Sequence, residues 1–160
     1  MGLDMYVYLK KSDYKSRSIY RQNDLEYPSE LNEFQNAILD RNFMSVRTSE
    51  SYQVGYWRKA NAIHGWIVRN VADGRDECQE IYLQEEAIKR LIDTCKDVLI
   101  DKTKAKQLLP PESRFFFGSQ EIDEWYLEDL KYTIDIFTKI LEFLQSEAGE
   151  DYRCVYEASW

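Results

Sequence analysis

The chain has one histidine, His64, within the segment YWRKANAIHGWIVRNV at residues 56–71. Read at about 100° per residue, this segment is an amphipathic helix. Tyr56, Ala60, Ile63, Ile67 and Val71 form its apolar arc, and Trp57, Asn61, His64 and Val68 continue it round one side. Arg58, Ala62, Gly65 and Arg69 lie opposite. An imidazole with an ordinary pKa near ~6.5 is a usable acid or base. The leading reading for a ring on an apolar face is a structural role, bonded to a backbone carbonyl or a carboxylate. Arg58 and Lys59, in the first turn of the same helix, could reach an anion.

A second group of chemically capable residues lies in IDEWYLEDL, residues 122–130. Asp123 and Asp129 fall on or near an apolar stripe, whereas Glu124 and Glu128 point outward. Asp123 suits the positive end of a helix. Asp129 needs a cationic or hydrogen-bonding partner, because an unpaired buried carboxylate is expensive. Arg58, Lys59 and His64 are the first partners to test, and an internal bridge between two helices is expected ahead of a catalytic pair. The aromatic residues Tyr56, Trp57, Trp66, Phe115, Phe116, Phe117, Trp125, Tyr126 and Trp160 would suit a pocket for a planar charged ligand. An ordinary small core uses the same residues, and at helical spacing the core is the leading reading.

Several chemistries lack their motifs. There is no phosphate-cradling GxGxxG or GxxxxGK[ST], no HExxH and no GxSxG elbow. Cys78, Cys95 and Cys154 are an odd number at wide spacing, and one histidine does not complete a usual zinc pattern. Reduced, mostly buried thiols are expected, with no metal and no cofactor.

The elements that must position these residues follow from periodicity. Leu3, Met5, Val7 and Leu9 alternate with Asp4, Tyr6 and Tyr8, which predicts a half-buried strand. Residues 10–27 read as a loop or irregular hairpin. Ser29 is placed to cap a short helix that buries Leu31, Phe34 and Ile38. Residues 43–54 read as one strand or a loose hairpin. The 56–71 helix ends at Asp73-Gly74. A short strand is expected within 78–83, then a helix over 84–99 burying Ile88, Leu91, Ile92, Cys95 and Val98. Lys102, Lys104 and Lys106 form a small basic patch in the following loop, and Pro110-Pro111 closes off any helix there. Ser119 opens a long helix, roughly 120–146, with Ile122, Tyr126, Leu130, Ile134, Phe137, Leu141 and Leu144 inward. Residues 152–160 alternate as a terminal strand. Strands at both ends with helices between predict one α+β domain: a small antiparallel sheet, including the N- and C-terminal strands, packed by three main helices.

Composition narrows the function classes. With 160 residues, 44% hydrophobic and 14% aromatic, the chain can build a core. No apolar run reaches the roughly 18 residues of a membrane span. The MGLDMYVY opening has no basic segment of a secretory signal, and Tyr6 stands where a myristoylation motif wants Ser or Thr. The cytoplasm is therefore the expected location. A formal charge of -8 argues against sequence-independent binding of nucleic acid.

Five blocks occur in order: MGLDMY, YWRKANAIHGW, LLP followed by FFFGS, DEWYLEDL and a terminal ASW. Together they resemble a family of small uncharacterised bacteriophage and prophage proteins, with residues 10–54 outside the resemblance. Pro111-Glu112-Ser113-Arg114 departs from it, since similar sequences more often carry a glycine there. The resemblance implies a phage or prophage origin and a bacterial cytoplasm, and it supplies no catalytic residue.

The expectation is a non-enzymatic phage accessory protein that binds a host-derived, nucleotide-like small ligand, with sequestration of a defence signal as one form. Its pocket would be lined by Trp57, Arg58, Asn61, His64, Phe117, Ser119, Asp123, Trp125 and Tyr126. The alternatives are an acidic inhibitor of a host protein and a small hydrolase using His64 with Asp123 or Asp129.

Overall fold

A computed structural model describes residues 2–11, 19–21, 27–39, 46–48, 51–113 and 118–160. Strand β1 (Asp4–Lys11) is followed by β2 (Ile19–Arg21), a 3-10 turn at Ser29–Leu31 and helix α1 (Asn32–Leu39). Next come β3 (Val46–Thr48), β4 (Ser51–Arg58), α2 (Asn61–Asn70), β5 (Ile81–Tyr82) and α3 (Glu85–Ile100). The chain then runs through a 3-10 turn at Lys102–Lys104, α4 (Ala105–Leu108), α5 (Glu124–Leu144), a 3-10 turn at Glu147–Gly149 and β6 (Tyr152–Ser159).

The fold is α+β. Its main sheet is antiparallel with the order β4-β1-β6-β5, so both terminal strands lie at its centre. A separate pair joins β2 to β3. The alternation in β1 sends Leu3, Met5, Val7 and Leu9 into the core, all fully buried. Cys154, Tyr156 and Ala158 of β6 join them in one hydrophobic cluster with the inner faces of α3 and α5. Ile88, Leu91, Ile92, Cys95 and Val98 are all buried, as the spacing of α3 requires. Along α5 the fully buried stripe is Tyr126, Leu130, Thr133, Ile136, Phe137 and Ile140, while Ile122, Ile134, Leu141 and Leu144 pack at its margin. No helix among the described residues is long and apolar enough to cross a membrane.

Three boundaries differ from the sequence reading. Tyr56, Trp57 and Arg58 belong to β4, and the helix begins only at Asn61. The β4 ladder runs through all three, pairing Tyr56 with Tyr6, Trp57 with Met5 and Arg58 with Asp4. Aromatic residues favour this half-buried pleated setting, and three residues fit either period. A register shift at Val7/Tyr8 leaves Val54 as the extra residue of a bulge. Second, Ser29 lies inside its 3-10 turn, whose cap is Pro28, and its Oγ donates to the Glu30 carboxylate at 3.4 Å. Third, α5 begins at Glu124 and is capped by Asp123, whose carboxylate accepts from Tyr126 N at 2.9 Å. Ser119 Oγ instead accepts from Glu121 N at 3.0 Å, a local turn that comes before the helix. Of the face of 56–71 expected to point outward, Arg58 and Arg69 are exposed, whereas Ala62 and Gly65 are buried with the rest of α2 from Asn61 to Val68.

Lys10 of β1 is held between two carboxylates, Glu80 at 2.6 Å and Glu157 of β6 at 3.1 Å. Burial alone would lower the ammonium, but the hydrogen bonds and charges of Glu80 and Glu157 carry it above its ordinary value. Burial raises the Glu157 carboxyl above its ordinary 4.5, against the pull of Lys10. The folded state therefore binds more protons than the unfolded chain between that value and the raised one. This contribution is full below the ordinary value and is lost as pH rises through the raised one. Replacing Glu157 with Gln is expected to flatten urea-denaturation stability across the acidic range and to change it at pH 7 by under about 1 kcal/mol.

Candidate functional site

The junction between β4 and α2 is only two residues long. Lys59 N donates to Leu3 O at 2.7 Å, which extends the ladder by one bond. Lys59 then turns into the left-handed region, with φ 62. Ala60, with φ −75 and ψ 64, centres an inverse γ-turn closed by Asn61 N donating to Lys59 O at 2.8 Å. A left-handed lysine costs conformational energy that the surroundings must hold in place, a feature that concentrates at functional sites. Gly118, itself at φ 95, packs on this turn so closely that a Cβ there would lie 2.9 Å from Lys59 Cβ.

These two turns and the start of α5 enclose a cleft of about 280 Å³. One wall is Arg58, Lys59 and the backbone from Ala60 to Ile63. Helix α2 has no side-chain cap, so the positive end of its dipole opens on the cleft. The other wall runs from Gly118 and Ser119 through Glu121 and Asp123 to Trp125, Tyr126, Asp129 and Leu130. Trp125 is 80% exposed at the rim. Tyr126 is buried and donates its hydroxyl to Leu109 O at 2.9 Å. None of the described ion pairs involves Arg58 or Lys59.

Asn61 has a different role from the one its position suggests. It is buried, and its amide donates to Ser119 O at 3.0 Å while its carbonyl accepts from Glu112 N at 3.2 Å. The side chain therefore ties two points seven residues apart onto the first turn of α2. It shapes the cleft by holding Ser119 in place.

Of the nine residues expected to line the pocket, Arg58, Asn61, Ser119, Asp123, Trp125 and Tyr126 do surround this one cleft. Phe117 lies outside the described residues. Trp57 does not face the cleft. Its side chain is directed into the core, 1% exposed, stacked on Phe137 and donating to Thr133 Oγ1 at 2.9 Å. His64 lines a separate cavity of about 230 Å³ with Gly65, Val68, Arg69, Gly74, Asp76 and Glu112. Its ring spans two buried partners, Nδ1 with the Tyr156 hydroxyl at 2.7 Å and Nε2 with Asp76 Oδ1 at 3.1 Å. His64 thus has the carboxylate partner that a structural histidine requires, but it is Asp76 rather than Asp123 or Asp129. Arg69 and Glu112 pair beside it, and Glu112 lies directly against Gly65.

Sequence reasoning missed Gly118 and Glu121 as wall residues, and Asp76 and Tyr156 as the partners of His64. Gly118 beside a serine was a usable signal for a turn with positive φ. Asp76 gave none. The cysteines are free thiols: Cys78 is exposed, and Cys95 and Cys154 are buried. Burial pushes the Cys95 thiol up to about 12 and raises Cys154 as well, which leaves both unreactive. Among the described residues no cluster of three His, Cys, Asp or Glu side chains could hold a metal ion.

Asp123 serves both the helix and the cleft, and substitution can separate the two roles. Asp123→Ala is expected to lower stability by about 0.5–2 kcal/mol through loss of the cap, whereas Asp123→Asn retains a capping oxygen and should stay within a few tenths of wild type. Thermal melts of the two variants check this.

No protein-family model, curated protein or solved structure matches the chain.

Proposed function

We propose that this is a non-enzymatic binding protein whose cleft, between the β4–α2 junction and the start of α5, takes a small anionic ligand with an aromatic ring, of mononucleotide type. The observation that carries the reading is the convergence of Arg58, Lys59 and the exposed Trp125 on one cleft. Two cations and the uncapped start of a helix suit a phosphate. An indole at the rim suits a base, because stacking needs only a π-face. The volume lies at the lower edge of ligand pockets, roughly 300–1,000 Å³, which suits one nucleotide and not a dinucleotide. Engagement of both ring nitrogens of His64 away from this cleft supports binding over hydrolysis. Combined with the likeness to phage and prophage proteins, the reading becomes a phage accessory protein that sequesters a nucleotide signal in the host cytoplasm.

The test is a thermal-shift panel of mono- and cyclic nucleotides on the full chain, with nucleotide extraction from the purified protein. A concentration-dependent rise in Tm is expected with at least one nucleotide. Arg58→Ala and Lys59→Ala should each weaken binding roughly tenfold or more, since a charge-assisted hydrogen bond is worth about 1.5–3 kcal/mol. Neither change should alter the unliganded Tm, as both side chains are exposed. Absence of any shift across the panel would refute the reading. The same exposed Trp125, on a chain of charge -8, favours a second reading, an acidic inhibitor docking on a host protein. In that case one stoichiometric protein would be retained from host lysate, and Trp125→Ala would release it.

A further inference from the structure

We infer that the affinity of the cleft is set from along α2, by a latch in which Glu112 holds the Gly118–Ser119 wall through Asn61; this rests on the nucleotide reading above. Residues 118–123 belong to no helix or strand, so this wall has no ladder of its own to fix it. One anchor is the buried Asn61 side chain, whose amide donates to Ser119 O while its carbonyl accepts from Glu112 N. The same side chain therefore senses the position of Glu112 and passes it to the wall. The wall in turn bears on Lys59: a Cβ at Gly118 would lie 2.9 Å from Lys59 Cβ and 3.1 Å from its carbonyl oxygen. A displaced Ser119 thus disturbs the left-handed turn that presents the cations to the ligand.

Glu112 is fixed by more than that one bond. Asn61, Gly65 and Arg69 stand four residues apart, one above another on one face of α2, over about 12 Å. The Glu112 backbone bonds the first, its side chain lies against the second, and its carboxylate pairs with Arg69 at the far end. The three atoms nearest a Cβ built on Gly65 all belong to Glu112, the closest being Oε1 at 2.4 Å. A glycine inside a helix is less stable than an alanine, and here the space it leaves is filled by Glu112. The pair lies at the cavity that His64 and Asp76 line, and Glu112 does not line the nucleotide cleft. It is a positioning residue that acts through Asn61. A wall fixed before the ligand arrives spares binding the cost of ordering it. Releasing the latch lowers the fraction of molecules with a formed cleft, and apparent affinity falls by that fraction.

Gly65→Ala separates this role from ordinary structural support. The new Cβ obliges the half-buried Glu112 side chain to swing away, while α2 gains a better helix former. The unliganded Tm is therefore expected not to fall. Isothermal titration of the full chain with GMP and AMP as probes should nevertheless show affinity lowered about fivefold, the lower end of couplings between sites. Glu112→Ala should give a similar loss, and the double variant no more than Glu112→Ala alone, because both changes act through one side chain. In the unliganded protein, backbone amide order parameters at Gly118 and Ser119 should fall in Gly65→Ala. Affinity unchanged or raised in both single variants would overturn the latch, and additive losses in the double variant would overturn Glu112 as its route. If neither nucleotide binds the wild type, the nucleotide reading falls, and the order parameters alone decide the latch: values at Gly118 and Ser119 unaltered by Gly65→Ala would overturn it.

Discussion

His64→Ala is expected to lower the unfolding free energy by about 3–5 kcal/mol while leaving nucleotide affinity of the cleft unchanged. The magnitude follows from what the ring holds. Burial raises the Tyr156 phenol well above its ordinary value, and its hydroxyl lies 2.7 Å from Nδ1 of the ring, within hydrogen-bond distance. On its other side Nε2 lies 3.1 Å from Asp76 Oδ1. Removing the ring leaves a fully buried hydroxyl and a carboxylate that is only 6% exposed each short of a partner. Loss of one member of such a buried set costs about 3–5 kcal/mol, and the vacated volume adds to it. Trp160 Nε1 also donates to Asp76 Oδ1, at 3.2 Å, which retains one bond and keeps the loss near the lower end. Urea denaturation measures the stability, and titration at low temperature measures the affinity. Wild-type stability with lost affinity would instead assign His64 to the ligand.

Trp57→Ala is the second large effect, again about 3–5 kcal/mol. The indole lies across Gly55, where a Cβ would approach the ring to 2.9 Å, and it bridges the sheet to α5. Its ring stacks on Phe137 at 5.6 Å, meets Tyr132 edge-on at 5.1 Å and hydrogen-bonds Thr133. Trp57→Phe keeps most of the apolar contact and loses the hydrogen bond, so a smaller cost of about 1–2 kcal/mol is expected. Because α5 carries the acidic wall of the cleft, the alanine variant should also weaken ligand binding, unlike His64→Ala. Paired denaturation and binding curves for the two phenylalanine and alanine variants check both statements.

Elements with long, uninterrupted periodicity were legible in the sequence. The alternation Leu3–Leu9, the apolar face Ile88–Val98 and the stripe of the last helix each bury large side chains on one side, and packing follows the pattern. The helix assignment for Tyr56–Arg58 failed because Trp57 falls on an apolar arc at helical spacing as well as on an inward strand position. Its decisive partners, Met5, Phe137 and Thr133, are distant in sequence. The left-handed Lys59 has no signature of its own, since its conformation is set by Leu3 and Gly118. Ser119 and Asp123 are both competent caps, and only local hydrogen bonding decided between them. Six of the nine expected pocket residues came together because two turns, at 59–60 and 118–119, meet across the end of α2. Pattern reading located both segments without giving the turn geometry. It misplaced His64 because the loop that returns Asp76 to the ring contains no periodic element.

The most direct test of the account is the Trp125 indole. With the four indole N–H resonances assigned by substitution, titration with GMP is expected to shift the Trp125 signal saturably. The buried Trp57 and Trp66 signals should stay in place, and Arg58→Ala should weaken the response. A Trp125 signal unmoved at millimolar GMP, or moved equally in the Arg58 variant, would contradict the cleft as the binding site.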